Sequence, residues 1–418
     1  LRLTERPYTQ KINNGEEPIS NTIWGVDGNY QTEAPWLTKA VDWLPLIETK
    51  AKSRLIATAE FAHLIPGHHS AVGEEGVSYI DDFESSRTSI DIKNMGAWKL
   101  ASIPEKQLDI FDNSNLNDSL IIGFKRAKLA WYTIDPLFFR NTSITPQNIN
   151  ANVTLPDGSK IGQQSYHYSR EVLETEVFPN KDPNMGSQIT NLSLLDIAYY
   201  PEERGPYNYT INGINSNGKL QNPSENWGGM MRTLTTTDFQ TSNIEFIEFW
   251  MMDPFNSEDG NSNHSGGDMY LHLGNISEDV IKDGRKQYEN GLPEDGDISL
   301  LPQTIWGTVV PQNQSLIYSF ASLGQERINQ DIGLDGYDDQ EEAIAFPNFA
   351  DLQDPANDNY KYFLNQSGNI FDRYKMYNGL DGNSPETISN TDRGSSSQPD
   401  VEDINRDNTM NTIDSYFE

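Results

Sequence analysis

The stretch that decides the fold runs from residue 243 to residue 293 and opens with NIEFIEFWMMDPF at residues 243–255. If this segment is extended, Phe246 and Trp250 fall on one face and Phe249 on the other, so both faces are apolar. Such a pattern predicts a central β-strand that is covered on both sides. A loop rich in Gly, Asn and Asp follows, and then a second apolar run, DMYLHLG, at residues 268–274. The stretch therefore predicts the core of a β-sandwich.

One short helix is predicted at the end of this stretch, over residues 277–290 (SEDVIKDGRKQYEN). Ser277 is a residue type that caps helix N-termini, and acidic residues follow it in the first turn. Lys286 lies toward the predicted C-terminal end, where a cation interacts favourably with the helix dipole.

Short strand candidates recur across residues 71–300, and turn-rich loops separate them. Many short strands with this punctuation are typical of a sandwich or jelly roll. We therefore predict a mainly β protein with one β-sandwich-like or jelly-roll-like domain over residues 71–300. The candidates are residues 77–84 (VSYIDDFE), 89–92 (SIDI), 128–134 (KLAWYTI), 194–200 (LLDIAYY), 243–253 and 268–274.

Residues 1–70 form a separate predicted segment, whose clearest feature is the run SRLIATAEFAHLIPG at residues 53–67. Its side chains alternate between an apolar face and a wetter face, which predicts a β-strand. Both an edge strand of a soluble sheet and a wall strand of a barrel have this pattern. The apolar face holds Leu55, Ala57, Ala59 and Phe61, and the wetter face holds Ile56, Thr58, Glu60 and Ala62.

Composition limits the possible functions of this 418-residue chain. Its formal net charge is −32, which argues against nucleic acid as a partner because phosphate binding needs clusters of Lys and Arg. The chain has no cysteine, so disulfides and zinc–thiolate sites are excluded. Aromatic residues make up 11% of the chain, which indicates a folded protein rather than a disordered one.

Residues 301–418 are predicted to be an acidic, loop-rich segment with two possible calcium loops. Residues 331–342 (DIGLDGYDDQEE) place Gly336 where an EF-hand loop turns sharply and Glu342 at its twelfth position. The third position is Gly333, which has no side-chain oxygen, so a solvated acidic loop is the alternative. The predicted Ca²⁺ ligands here are Asp331, Asp335 and Glu342.

The second possible calcium loop is residues 403–414 (DINRDNTMNTID). Oxygen-bearing side chains occupy the alternate positions that an EF-hand loop uses, although Asn408 replaces the usual glycine. Ion binding would offset the chain entropy that a long loop without a core loses on ordering. The predicted ligands are Asp403, Asn405, Asp407, Thr409 and Asp414.

No nucleophile motif or metal triad appears in the sequence, so we predict that the chain is not an enzyme. Two alternatives stay open. The aromatic side chains of Tyr207, Tyr209 and Trp227 suit a carbohydrate-binding β-sandwich module of a cell-surface protein. A glycosidase would use paired carboxylates, for which Asp82, Glu245 and Glu248 are the candidates.

Long, ordered motifs along nearly the whole chain resemble the SprA/Sov family. They are GEEGVSYIDDFESS (73–86), KLAWYTIDPLF (128–138), DIAYYPEERGPYNY (196–209), NPSENWGGMMR (222–232), NIEFIEFWMMDPF (243–255), LGNISEDVIKDGRKQYENGLP (273–293), DGYDDQEE (335–342), DPANDNYKYF (354–363) and PDVEDINRDNT (399–409).

This resemblance implies a fragment of a giant outer-membrane β-barrel, the translocon that exports folded proteins in type IX secretion and that gliding motility requires. Some strands of the chain would then belong to that much larger barrel. The implied location is the outer membrane or cell surface of a Gram-negative bacterium. The implied partners are an outer-membrane barrel protein of the PorV type, a periplasmic plug protein and exported cargo proteins. The resemblance implies no catalytic residues.

Overall fold

The computed structural model describes most of the chain in segments separated by gaps. The described residues are 2–4, 20–46, 49–67, 90–105, 107–140, 142–150, 152–154, 160–179, 191–234, 238–242, 244, 246–255, 266–311, 320–321, 324–380, 399–407 and 409–411. None of the helices in these segments is long and apolar enough to cross a membrane.

The chain divides into two compact units. The first comprises Leu1–Thr88 and Thr175–Ile189, and the second comprises Ser89–Glu174 and Thr190–Glu418. The division into residues 1–70, 71–300 and 301–418 stays a prediction. Within the second unit, the largest buried apolar cluster takes residues from both sides of residue 300, from Ile103 to Phe349 and Ala356.

The first unit contains a three-stranded antiparallel sheet in the order β1 (Arg2–Thr4), β2 (Ser20–Glu33) and β3 (Arg54–Ile65). Helix α1 (Pro35–Asp42) lies between β2 and β3, with a proline in its first turn, where a missing backbone N–H is harmless. β2 and β3 pair without interruption from Thr22 opposite Ile65 to Glu33 opposite Arg54. The strand predicted over residues 53–67 is therefore confirmed.

The β2–β3 hairpin has one apolar face and one mainly polar face. Residues directly opposite each other share a face, so the register places the apolar side chains of both strands together. Trp24 and Phe61 on this face have ring centroids 5.1 Å apart. The large apolar side chains of this face are exposed in the described structure: Trp24, Val26 and Tyr30 of β2, and Leu55, Phe61 and Ile65 of β3.

The second unit combines small two-stranded antiparallel sheets, short helices and long irregular segments. Its strands are β4 (Lys99–Leu100), β5 (Ala127–Tyr132), β6 (Asn152–Thr154), β7 (Lys160–Gly162), β8 (Asp196–Arg204) and β9 (Met230–Met231). They pair as β4 with β9, β5 with β8 and β6 with β7. Its helices are α3 (Gln325–Gln330), α4 (Asp339–Ala345) and α5 (Ile370–Tyr374), and α2 (Glu174–Val177) begins at the unit boundary.

The strand predictions at residues 128–134 and 194–200 are confirmed, because these segments form most of β5 and β8. Those at residues 243–253 and 268–274 are wrong: the described residues of both segments form no strand. Phe246 and Trp250 are exposed rather than covered on both sides. The apolar pattern describes side chains only, whereas a strand also needs a neighbour for its backbone hydrogen bonds. Residues 90–92 also form no strand, and residues 77–84 lie outside the described residues.

The helix predicted over residues 277–290 is also wrong, and side-chain hydrogen bonds explain why. The Asp279 carboxylate accepts hydrogen bonds from the backbone N–H groups of Asp283 (3.3 Å) and Gly284 (2.6 Å). Lys282 and Gly284 have φ angles of 57° and 72°, which a right-handed helix excludes. Asp279 therefore satisfies the backbone of this segment in tight turns, as aspartates often do outside helices.

Two aromatic-rich clusters form most of the apolar core of the second unit. In one, Phe138 packs against Phe363 and Tyr374 at ring-centroid distances of 5.5 Å and 5.9 Å. Tyr132 of β5 stacks on Tyr374 of α5 at 4.4 Å. The other cluster surrounds the fully buried Trp306, which lies edge-on to a neighbouring tyrosine. Side-chain stacking between distant segments therefore replaces the extended sheets that the sequence predicts.

We expect Phe138→Ala to lower the free energy of unfolding by about 3–5 kcal/mol, because it leaves a cavity in a fully buried cluster. Phe246→Ala is the matched control, and it should cost under about 0.5 kcal/mol because this side chain is exposed. Urea denaturation of both variants makes the comparison. Equal losses of unfolding free energy would indicate that Phe246 is buried, as the strand prediction for residues 243–253 requires.

Burial raises the pKa of Asp196 of β8 to about 6. A hydrogen bond from the Ile134 backbone opposes this shift only in part. In the unfolded chain an aspartate has a pKa of about 3.9. Between about pH 4 and 6 the unfolded state therefore loses its proton first, and stability falls as the pH rises.

Asp196→Asn should flatten this decline, which urea denaturation at several pH values between 4 and 6.5 would measure. Asp238→Asn is the control, because hydrogen bonds from Thr241 lower the pKa of Asp238 and move its contribution below this window. An unchanged slope in Asp196→Asn would contradict the expectation.

Candidate metal centre

The first predicted calcium loop, residues 331–342, connects α3 to α4. Gly333 and Gly336 have φ angles of 115° and 77°, so the chain turns on both sides of Asp335. Asp338 then caps α4 by accepting hydrogen bonds from the backbone N–H groups of Gln340 and Glu341. The Asp338 backbone N–H donates to Glu341 Oε2 at 3.1 Å, which completes a capping box.

This local structure brings Glu342 of α4 beside Asp335 and beside a third carboxylate, Asp358. One carboxylate oxygen of each residue lies within 4.8 Å of the others. All three side chains are at most 1% exposed. We call Asp335, Glu342 and Asp358 the acidic centre.

Four hydrogen bonds hold the acidic centre in place. Asp335 accepts from the Tyr209 hydroxyl and from the Tyr337 backbone N–H, both at 2.9 Å. The Leu334 N–H donates to Asp358 Oδ2 at 2.9 Å, and the Ala356 N–H donates to Glu342 Oε2 at 2.8 Å. The second oxygens of the last two side chains, Asp358 Oδ1 and Glu342 Oε1, are buried without a hydrogen-bond partner.

Gly333 explains why the third loop position offers no ligand of its own. A Cβ atom there would lie 2.7 Å from Cγ of Asp358. The carboxylate of Asp358 therefore occupies the space beside the loop that a side chain at this position would need. A carboxylate from a different part of the chain thus lies beside the position where the predicted loop has no side-chain oxygen.

Glu342 also belongs to a second, more accessible group with Asp339 and Asp354, whose carboxylate oxygens lie within 4.8 Å of one another. Asp354 is half-buried and accepts from the Asp358 N–H at 3.1 Å, and Asp339 is exposed. The two aspartates thus place further carboxylates between the surface and Glu342 of the acidic centre.

Burial and mutual repulsion dominate the electrostatics of the acidic centre. Burial raises the pKa of Asp335, Glu342 and Asp358, and hydrogen bonds from the backbone and from Tyr209 only partly oppose this. The charge of Asp335 raises the pKa of Glu342 further, and that of Glu342 does the same for Asp358. Three buried anions this close together require protons or a cation for neutralisation.

No Lys or Arg in the described part of the chain makes an ion pair with these three carboxylates. Arg204 is a nearby cation, but it donates to the carbonyl oxygens of Asn208 and Pro355, both at 2.8 Å. Its guanidinium also lies 4.1 Å from the ring centroid of Phe349.

Asp331, the first predicted ligand of this loop, is not part of the acidic centre. Its Oδ2 lies 4.0 Å from Nε of Arg327 on α3. Its charge instead raises the pKa of Glu289 and Asp400, two buried carboxyl groups elsewhere in the unit. Of the three predicted ligands, the structure therefore brings two together.

The second predicted loop, residues 403–414, contributes Asp403 and Asp407 to a group with Glu278, in which carboxylate oxygens lie within 4.8 Å of one another. However, Lys286 Nζ lies 3.0 Å from Asp403 Oδ2, and both side chains are buried. A protein ammonium group therefore already provides positive charge at this group.

Asn405 and Thr409 are exposed, and their hydrogen bonds stabilise turns. Asn405 Nδ2 donates to Asp407 Oδ2 at 3.0 Å, and the Thr409 backbone N–H donates to Asp407 Oδ1 at 2.8 Å. Asp414 lies outside the described residues. The sequence reasoning missed Asp358, Asp354 and Glu278, because only tertiary contacts bring them to the predicted loops.

Comparison with known families adds a second line of information. Residues 338–418 match the family model SprA_N, described as a motility related/secretion protein. A search of curated proteins gives no significant match. This segment is similar to the SprA family, which confirms the predicted resemblance over these residues and relates the chain to motility and secretion. For the motifs before residue 338 the resemblance stays a prediction. The SprA-family segment includes Glu342 and Asp358 of the acidic centre, and Asp335 precedes it.

The aromatic residues that suggested a carbohydrate-binding module are buried or half-buried rather than exposed on a binding surface. Tyr207 and Tyr209 are at most 3% exposed. The Tyr209 ring stacks on Phe346 with centroids 3.6 Å apart. Trp227 is half-buried beneath the guanidinium of Arg126, at 4.6 Å. Tyr207 and Tyr209 therefore cannot present a face to a sugar, and Arg126 covers one face of Trp227.

The glycosidase alternative gains no support either. Asp82 and Glu245 lie outside the described residues, and Glu248 is exposed. SprA is a motility and secretion family rather than an enzyme family. The structure therefore provides no described pair of carboxylates that flanks a cleft among these candidates.

We expect Gly333→Ala to lower the free energy of unfolding by about 3 kcal/mol, because it combines an unfavourable φ with a clash against Asp358. Gly213→Ala is the matched control: its φ is 75°, but nothing lies within 4 Å of the added Cβ. The control should cost about 1 kcal/mol. Urea denaturation with chelator present compares them, and equal losses would mean that the contact with Asp358 is not tight.

Proposed function

We propose that this chain is a structural and gating segment of a giant outer-membrane β-barrel translocon that exports folded proteins in type IX secretion and gliding motility. The observation that carries this proposal is the match of residues 338–418 to a motility related/secretion family. A secretion and motility protein of this family belongs in the cell envelope, and the outer membrane is the location that we propose within it.

The β2–β3 hairpin supports a role in the barrel wall. Its strands have 14 and 12 residues, whereas a strand needs about 9–11 residues to cross an outer membrane. Wall strands alternate between apolar side chains facing lipid and polar side chains facing the lumen. The hairpin has this arrangement, with Trp24, Val26 and Phe61 exposed on its apolar face. We propose that this face contacts lipid.

The second unit supports a role as a domain attached to the pore. Its buried clusters are built from loops and short elements, and they give it a core of its own. Phe246, Trp250 and Met251 are exposed close together in sequence, and so are Met269, Tyr270 and Leu271. Contiguous exposed apolar side chains are typical of interaction surfaces. We propose that the unit caps or lines the pore.

The partners that we propose are an outer-membrane barrel protein of the PorV type, a periplasmic plug protein and exported cargo proteins. The net charge of −32 would keep acidic cargo from adhering to the second unit, since like charges repel across a wet lumen. The same charge makes nucleic acid an unsuitable partner.

Deletion of the gene in its native bacterium tests the function. We expect folded cargo to accumulate in the periplasm and gliding to stop, and complementation with the intact gene should restore both. Normal secretion and gliding in the deletion strain would contradict the proposal.

A pair of single substitutions in the full-length protein tests the wall placement of the hairpin. Val26→Arg puts a charge on the apolar face of β2 and should cost about 2–4 kcal/mol if that face contacts lipid. Asn29→Arg adds the same charge to the polar face and should be tolerated. We expect less protein in the outer membrane and less exported cargo for the first variant alone, and equal effects would exclude the lipid contact.

A further inference from the structure

The acidic centre presents an electrostatic problem that the proposed function does not address. Asp335, Glu342 and Asp358 are fully buried, and a carboxylate oxygen of each lies within 4.8 Å of the others. An isolated buried charge is very costly, and three like charges at this distance add mutual repulsion. In the described part of the chain no Lys or Arg side chain forms an ion pair with them.

The hydrogen-bond pattern shows where compensation is missing. Each carboxylate has one oxygen that accepts from a backbone N–H group: from Tyr337 for Asp335, Ala356 for Glu342 and Leu334 for Asp358. Glu342 Oε1 and Asp358 Oδ1 are buried and accept no hydrogen bond. Buried polar atoms in native proteins are satisfied in the great majority of cases, so an atom without a partner indicates a bound group. Here two such atoms occur in a single cluster.

The backbone around the cluster holds the three side chains at fixed positions. Glu342 is on α4, whose N-terminus is fixed by the capping box of Asp338 and Glu341. The carboxylate of Asp358 packs directly against Gly333, where a Cβ atom would clash with it. The oxygens are therefore preorganised, and a bound ion would not have to order them.

We propose that Asp335, Glu342 and Asp358 bind one Ca²⁺ ion. The ligands are all carboxylate oxygens, which are typical of hard divalent cations and unlike the nitrogen and sulfur ligands of zinc. Calcium–oxygen distances of about 2.3–2.6 Å let ligands on opposite sides of the ion lie about 4.6–5.2 Å apart. Oxygens within 4.8 Å of one another fit this sphere. Magnesium keeps several of its waters and is usually bound through one or two carboxylates, so three buried carboxylates favour calcium.

Asp354 and Asp339 extend the site toward solvent. Both have carboxylate oxygens within 4.8 Å of one of Glu342, and their exposure increases outward from half-buried to exposed. These two carboxylates add negative charge on the solvent side of the buried oxygens, which attracts cations. The same acidic run that resembled an EF-hand thus contributes two ligands, and the third comes from residue 358 rather than from within the loop.

The test uses the purified chain, stripped with chelator and then titrated with CaCl₂ or MgCl₂ while its thermal unfolding is recorded. At a calcium concentration about 100 times the Kd, we expect the melting temperature to rise by about 4 °C, because the ion binds the folded state alone. No rise would overturn the proposal and assign protons to the three carboxyl groups. A rise with magnesium as large as that with calcium would overturn the choice of ion.

Variants locate the ion. Asp358→Asn and Glu342→Gln keep the shape of the side chain, remove one charge each, and should abolish the calcium-dependent rise. In chelator both should melt at or above the wild-type temperature, since repulsion within the cluster is relieved, and circular dichroism checks that each folds. Either variant suffices if the other does not fold. A calcium rise that persists in a folded variant would overturn the site.

Two further variants serve as controls. Asp351→Asn makes the same substitution at an exposed position of the same segment and should keep the full calcium rise. Asp407→Asn probes the other acidic group and should also keep the calcium-dependent rise, because Lys286 already pairs with Asp403 there. If Asp407→Asn loses the calcium-dependent rise in melting temperature while Asp358→Asn keeps it, the ion binds at residues 403–407. That result would overturn the proposal.

Discussion

Tyr209 links the two features on which the second unit depends, its aromatic core and its buried carboxylates. Its ring stacks on Phe346 at 3.6 Å, and its hydroxyl donates to Asp335 at 2.9 Å. Since Phe346 directly follows α4, which carries Glu342, one side chain fixes the position of the acidic centre relative to the apolar cluster. Burial of the carboxylates and packing of the core therefore share this side chain.

This coupling explains how a loop-rich unit is held together without large sheets. Its sheets have two strands each, and isolated pairs of strands are marginally stable. Long-range side-chain contacts supply what the sheets lack. Arg126 connects three segments, because its guanidinium donates to the Ala101 carbonyl at 2.7 Å and covers the Trp227 ring at 4.6 Å. Tyr374 connects the end of the chain to β5 in the same way.

The sequence predicted those elements whose pattern and partners agree. β3 was predictable because its alternation is regular and the strand before it pairs along its full length. The predicted parts of β5 and β8 pair with each other, from Lys128 opposite Tyr200 to Tyr132 opposite Asp196. Residues 246–253 look more strand-like than any of these, but no described strand pairs with them. Residues 277–290 have helix-like end signals, yet Asp279 bonds its own backbone and imposes turns. A short-range sequence pattern indicates which side chains prefer to be buried. Whether the segment forms a strand also depends on a pairing segment from elsewhere in the chain.

The acidic centre shows the same division between local and distant information. Gly336 provides the predicted turn, and Asp335 and Glu342 meet as the loop spacing predicts. Asp331 is not in the acidic centre. It directly follows α3 and lies near Arg327, one helical turn earlier, and the spacing of residues within the loop carries no information about this contact.

Asp358 joins the group because a glycine opposite it leaves the space open, and an absent side chain gives no positive signal in a sequence. The sequence of one loop therefore reveals at most the ligands that lie within that loop. In a unit whose core is assembled from distant segments, the remaining ligands follow the same long-range contacts as the aromatic residues, because both are placed by the same packing.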